Sequence, residues 1–363
     1  MKGVATLYGS GVLSYRGALA LATGSTALGS LASVFLATAL VKAFSAKGLV
    51  PDALLTPELL CAVGLGAGLT VLLATALGAP ISTTHALLGG LFGAGWVAAG
   101  PELNAGALGR GFALPLLASP LLALLLARTL LSGGQRAARH ANVSGDSCIC
   151  LEPSARLAAL PVPAADGAPG AQPGMLRVRA DLADPLEAVG ASLTVGHSSE
   201  CRERNGGRLA GIEINAAVRW GHLISGGGVG FARGLNDTPK IVGLLAGAAI
   251  ATPSTGALAV GTAMALGGLV AARRVGETMA KKITPMTPEQ GLGGNLATSF
   301  LVIVASRLGI PVSTTHVSTG AIAGIGASAG TLQRRTTLQV LGAWLLTLPL
   351  AAALSAVVMW LQS

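Results

Sequence analysis

Gly78-Ala79-Pro80-Ile81-Ser82-Thr83-Thr84-His85 returns 231 residues later as Gly309-Ile310-Pro311-Val312-Ser313-Thr314-Thr315-His316. The same register holds outward on both sides. Thr56-Pro57-Glu58 recurs as Thr287-Pro288-Glu289, and Gly89, Gly93 and Gly95 recur as Gly320, Gly324 and Gly326. Further upstream, Gly17-Ala18-Leu19-Ala20 resembles Gly256-Ala257-Leu258-Ala259 after a shift of a few residues. Chance is a poor explanation for an ungapped match of this extent, so the chain consists of two related halves.

The sequence around the repeats is that of a membrane protein. Apolar residues make up 52% of the 363, and charged residues 11%, against about 25% in a soluble globular chain. Apolar stretches of spanning or near-spanning length run over residues 17–41, 59–78, 82–100 and 106–131. After a polar interval they resume over 216–234, 241–251, 256–272, 292–308, 312–330 and 338–360. A soluble protein has no use for so many, since each approaches the roughly 20 residues of a bilayer crossing. The 52 glycines suit helices that approach closely in lipid, where van der Waals packing replaces the hydrophobic drive. Residues 241–251 are too few to cross, and read as a half-helix or one arm of a re-entrant pair.

The net charge of +9 does not indicate nucleic acid. Its cations sit in short runs beside apolar stretches, as with Arg136 and Arg139, Arg273 and Arg274, Lys281 and Lys282, and Arg334 and Arg335. Such runs fix orientation in a membrane, and Arg136, Arg139 and His140, with Arg202, Arg204 and Arg208, put the central polar region on the cytoplasmic side. The organisation expected is a first membrane half over 1–131, a polar cytoplasmic linker or small module over 132–214, and a second membrane half over 215–363. Pro161, Pro163, Pro169 and Pro173 favour a linker, while the alternating Met175-Leu176-Arg177-Val178-Arg179 reads as a half-exposed strand. Cys61 reads as a small core residue. Cys148, Cys150 and Cys201, with His197 nearby, lack regular metal-ligand spacing and read as unligated thiols.

Each copy of Pro-x-Ser-Thr-Thr-His reads as the start of a helix. Proline pushes its predecessor out of the helical region, and serine caps a helix. The first-turn N–H groups have no intrahelical partners and carry the positive end of the helix dipole. Two such starts facing each other would hold an oxyanion without a cluster of cations. Ser82, Thr83, Thr84, Ser313, Thr314 and Thr315 are the candidate binding residues. One copy alone reads equally as a plain capped helix or as part of a site; duplication favours the site. His85 and His316 orient the hydroxyls, relay protons or satisfy a nearby carbonyl.

Gly234-Leu235-Asn236-Asp237-Thr238-Pro239-Lys240 sets an amide, a carboxylate and an ammonium inside apolar sequence. A charge there costs about 2.5–3.5 kcal/mol on insertion scales, so a partner, an ion or a substrate is expected to compensate it. Pro239 is expected to break the helix and free carbonyls for a cation. The alternative is a loop at the membrane surface, with Lys240 snorkelling to the interface.

These residues carry a family resemblance. Gly-Leu-Asn-Asp, with Pro-Ile-Ser-Thr-Thr-His and Pro-Val-Ser-Thr-Thr-His, resembles the PiT family of inorganic phosphate transporters over both membrane halves, leaving out the central polar region. The resemblance implies an all-α polytopic fold with inverted repeats and broken or re-entrant helices. It also implies symport of phosphate, alone or as a metal–phosphate complex, across the cytoplasmic membrane, driven by H+ or Na+ and with no other cofactor. Asn236 and Asp237 would join the serines and threonines in the site. Asp237, Lys240, His85 and His316 would serve ion coupling. The expected partners are lipid and a second copy of the chain.

Two departures stand out. The family carries Asn-Asp in each half, whereas aligning Lys2 with Lys240 puts the first copy before Met1, which reads as a missing N-terminal segment. Lys240 also stands where sodium-coupled members have asparagine, so its ammonium is expected to take a sodium ion's place. A sulfate permease, a passive channel and a non-transporting remnant are the competing readings. No nucleophile elbow, nucleotide loop or metal-ligand set suggests an enzyme.

Overall fold

The computed structural model describes residues 4–153, 191–204 and 211–362. Two compact units result: Met1–Ala138 with Val218–Ser363, and Arg139–Ala217. In the larger unit the first half runs α1 (Ala5–Gly9), α2 (Tyr15–Leu36), α3 (Thr38–Ala43), α4 (Pro57–Ala76), α5 (Thr83–Ala99), α6 (Ala105–Leu108) and α7 (Leu114–His140). After α8 (Ser198–Arg204) in the smaller unit, the second half runs α9 (Ile214–Gly247), α10 (Pro253–Ala271), α11 (Arg273–Glu277), α12 (Pro288–Arg307), α13 (Thr314–Ala329) and α14 (Arg334–Gln362). Among the described residues, five helical stretches, Tyr15–Leu36, Pro57–Ala76, Ala105–His140, Pro253–Ala271 and Arg334–Gln362, are long and apolar enough to cross a membrane. The fold is that of a polytopic helical membrane protein.

The duplicated sequence builds a duplicated hairpin. Thr56 caps α4 and Thr287 caps α12, each with proline at the next position and glutamate in the first turn. All three choices favour a helix N-terminus. Both helices have 20 residues, about 30 Å at 1.5 Å per residue, the thickness of the hydrocarbon core. Both end at a glycine with positive φ, 71° at Gly78 and 72° at Gly309. Around each, the two backbone bonds of a Schellman turn form, Gly78 N to Thr75 O with Ala79 N to Ala74 O, and Gly309 N to Ser306 O with Ile310 N to Ala305 O. The proline then keeps the chain extended until Ser82 or Ser313 starts α5 or α13. These have only 17 and 16 residues, roughly 25 Å, and each packs back on the helix before it.

The repeated glycines exchange packing between the halves. Gly89 and Gly93 of α5 lie against the backbone carbonyls of Leu348 and Ala352 in α14, while Gly320 and Gly324 of α13 lie against those of Pro120 and Leu124 in α7. A methyl group at any of the four would overlap a carbonyl. Small residues at such crossings let backbones touch in lipid. Each short helix is therefore seated on a helix of the other half.

Three expectations are corrected. Residues 216–234 and 241–251 are not a span and a half-helix: α9 runs unbroken through Pro239. One missing N–H, opposite Leu235 O, is a smaller loss in an apolar interior than the several unpaired groups a break would leave. Cys61 is exposed on α4 rather than in the core, because a helix face turned to lipid needs no covering. The smaller unit departs from an all-α fold, since Ser147–Pro153 (β1) pairs antiparallel with Ala191–His197 (β2) and Gly211–Glu213 (β3), in the order β2-β1-β3. Cys148 and Cys150 are buried on one face of β1 with their sulfurs 2.9 Å apart, and neither is a free thiol. The strand expected over Met175–Arg179 and the prolines of the linker lie outside the described residues.

Candidate functional site

Ser82 and Ser313 set the geometry. Their hydroxyl oxygens accept the N–H of His85 at 3.1 Å and of His316 at 3.3 Å, three residues on, so both act as helix caps. The two helix starts then bond each other reciprocally. Thr84 Oγ1 donates to Val312 O at 3.4 Å, and its repeat partner Thr315 donates to Ile81 O, the partner of Val312, at 3.0 Å. The rings of His85 and His316 meet edge to face with centroids 4.5 Å apart. The paired motifs thus face each other at a local pseudo-two-fold.

The polar turn of α9 enters this junction. Asn236 Nδ2 donates to Thr314 Oγ1 (3.0 Å), Val312 O (3.2 Å) and Asp237 Oδ1 (3.2 Å), while its oxygen accepts from Ser306 (3.3 Å). Lys240 is fully buried, not snorkelling. Its Nζ donates to Thr84 Oγ1 and Val312 O, both at 2.7 Å, and to Asp237 Oδ1 at 3.3 Å. Three acceptors match the three protons of an ammonium. Arg233 Nε lies 3.6 Å from the other Asp237 oxygen, one helical turn back. The ammonium ties together both repeats and α9.

Two cations, one carboxylate and the positive ends of two helices converge here. At about half a charge per helix end, their sum is near +2. An anion brought to this point meets hydroxyls, first-turn amides and cations. Thr83 is half-buried and stands apart from the network. The other expected residues, Thr84, Asn236, Asp237, Lys240, Thr314 and Thr315, come together.

Sequence reasoning missed several groups. Arg233 sits four residues before Asp237, a spacing that foretells a helical pair. Ser306 falls in register with Thr75 of the first repeat, a weak but readable signal. Trp344 gave none: it stacks on His316 at 3.8 Å and donates from Nε1 to Pro80 O at 2.9 Å. A second buried polar cluster joins α1, α9 and α12. Thr6 Oγ1 donates to Asn295 Oδ1 at 2.7 Å and lies 3.2 Å from His222 Nε2, and Asn295 Nδ2 donates to Ser225 Oγ at 3.4 Å. Among the described residues, His222 Nδ1 has no hydrogen-bond partner.

Known proteins agree with this architecture. A solved sodium-dependent phosphate transporter superposes with a TM-score of 0.72 over 99% of this chain and 93% of its own, at 21% identity, which shows a shared fold. The chloroplastic inorganic phosphate transporter 2-1 of Arabidopsis thaliana is 34% identical over 147 residues, 36% of this chain and 25% of that protein. Sodium-dependent phosphate transporter 1 of Rattus norvegicus is 34% identical over 142 residues, 36% of this chain and 21% of that one. The matches thus span a fifth to a quarter of the length of these curated relatives. The sequence profile described as the phosphate transporter family matches residues 2–355. With nearly its whole length inside that match, the chain belongs to the phosphate transporter family.

Proposed function

We propose that the chain carries inorganic phosphate across the cell membrane by secondary active transport. The observation that carries this reading is the convergence of Thr84, Thr314 and Thr315 with Asn236, Asp237 and Lys240 at one buried point. A local charge near +2 balances a doubly charged oxyanion without desolvating a bare cation cluster. Asp237 favours phosphate over sulfate, because phosphate at neutral pH has a proton to donate to a carboxylate and sulfate has none.

Lys240 bears on the coupling ion. Its ammonium is held by a carbonyl, a hydroxyl and a carboxylate, oxygen donors of the kind that replace a metal cation's hydration shell. A resident ammonium at this point makes a sodium ion there redundant and favours proton coupling. The substrate is phosphate itself or its neutral metal complex, and the partners are the bilayer and a second copy of the chain.

The test is uptake of labelled phosphate into proteoliposomes holding the full chain, with an imposed proton gradient. Concentrative uptake that survives replacement of sodium by choline and a large excess of sulfate is the expected result. Downhill flux alone would identify a channel, and loss of uptake in excess sulfate would identify a general oxyanion permease.

A further inference from the structure

A cavity of about 260 Å³ lies between the end of α4, residues 278–282 and the start of α14. At about 30 Å³ per water it has room for a small hydrated anion. Its polar side chains are Thr278, Lys282, Thr336 and Gln339, and no carboxylate lines it. Arg274 runs alongside, with its guanidinium donating to Ala76 O. The lining is therefore rich in donors and positive in charge.

The cavity and the buried site stand back to back. Pro80 lines the cavity, and the next residue, Ile81, accepts the Thr315 hydroxyl within the site. Trp344 stands one turn along α14 from Val340, another lining residue. Its indole donates to Pro80 O, stacks on His316, and through its own carbonyl lies 3.4 Å from His85 Nδ1. Moving the indole aside would break one hydrogen bond and one ring stack. The matched glycine contacts pair Pro120 with Leu348 and Leu124 with Ala352, which puts Leu116 at the place of Trp344, so the first repeat has no such indole. The feature belongs to one side of the junction only.

Resting on the reading of the chain as a phosphate transporter, we infer that this cavity is a staging site for the oxyanion, with Lys282 as its counter-ion, and that Trp344 is the partition between it and the buried site. The basic runs at residues 273–282 and 334–335 put its mouth at the cytoplasmic end by the charge rule for membrane proteins. Phosphate leaving the buried site reaches Lys282 before it reaches bulk water.

The experiment uses the purified full chain with Trp96, Trp220 and Trp360, all exposed, changed to phenylalanine, so that Trp344 is the one indole. Inorganic phosphate is titrated against its fluorescence, in this protein and in the same protein carrying Lys282→Gln. Lys282 is exposed, so the change does not disturb packing. A phosphate-dependent change in Trp344 emission, with its midpoint raised about tenfold by Lys282→Gln, is expected from the loss of one charge-assisted contact. An emission change whose midpoint is the same in both proteins overturns the inference, and so does no change at all in a chain that takes up phosphate. The expected shift in a chain that fails to accumulate phosphate upholds the staging site and counts against the transport reading. Neither response nor uptake removes both.

Discussion

Changing Lys240 to asparagine removes a fully buried ammonium from three acceptors at once, Thr84 Oγ1, Val312 O and Asp237 Oδ1. Removing one partner of a buried ion pair costs about 3–5 kcal/mol, because the other charge is left uncompensated. Arg233 remains 3.6 Å from Asp237 Oδ2, which puts the loss near the lower end, about 3 kcal/mol. At roughly 1–2 °C per kcal/mol for a chain of this length, melting in detergent falls by about 3–6 °C. The vacated space keeps its carbonyl, hydroxyl and carboxylate, and a cation entering it restores part of the loss. Sodium at ten times its dissociation constant returns about 1.4 kcal/mol, or roughly 1–3 °C. The assay is a melting series of parent and Lys240→Asn in sodium and choline chloride at one ionic strength and pH. The expected result is a sodium-specific gain in the variant and none in the parent. A variant as stable as the parent, or one indifferent to sodium, refutes the idea that Lys240 fills a cation's place. Parent uptake that vanishes with sodium would refute it equally.

Other changes probe separate parts of the structure. Asn236→Leu strips donors from Val312 O and Thr314 and an acceptor from Ser306; uptake at subsaturating phosphate should fall on the order of tenfold or more, with membrane abundance measured in parallel. Gly93→Ala drives a methyl into the carbonyl of Ala352 and should cost about 1–3 kcal/mol in a melting assay, whereas Gly64→Ala, inside a helix, meets nothing and should raise stability by up to about 1 kcal/mol through helix propensity. Thr6→Val leaves Asn295 Oδ1 without its donor, a loss of about 1–3 kcal/mol that Thr6→Ser should largely restore; equal melting of all three proteins would show the cluster to be energetically idle.

Much of the framework is written locally. Threonine caps, Schellman glycines and the serine before each short helix act over a few residues, so the matched 20-residue arms of α4 and α12 follow from the repeat. The meeting of the two motifs was also readable, because duplication of three hydroxyls and a histidine is hard to explain as capping alone. What could not be read depends on distant neighbours. Pro239 reads as a breaker, yet an apolar surround makes continuing the helix less costly than ending it. Lys240 reads equally well as snorkelling, and only the approach of Val312 O and Thr84 decides for burial. Asn295, Thr6 and His222 are single polar residues in glycine-rich sequence, and Asn295 is matched by Gly64 in the other repeat, so no repetition drew attention to them.

The exchange of α5 and α13 onto the opposite halves bears on how the protein is made. Gly89 leaves the ribosome roughly 260 residues before the Leu348 backbone it must touch, a delay on the order of 10–50 s at ordinary rates of synthesis. Until then a short helix with a bare glycine face waits in the bilayer without its seat. Insertion machinery or lipid must shelter that face, and the first half, translated alone, would have nothing to close upon.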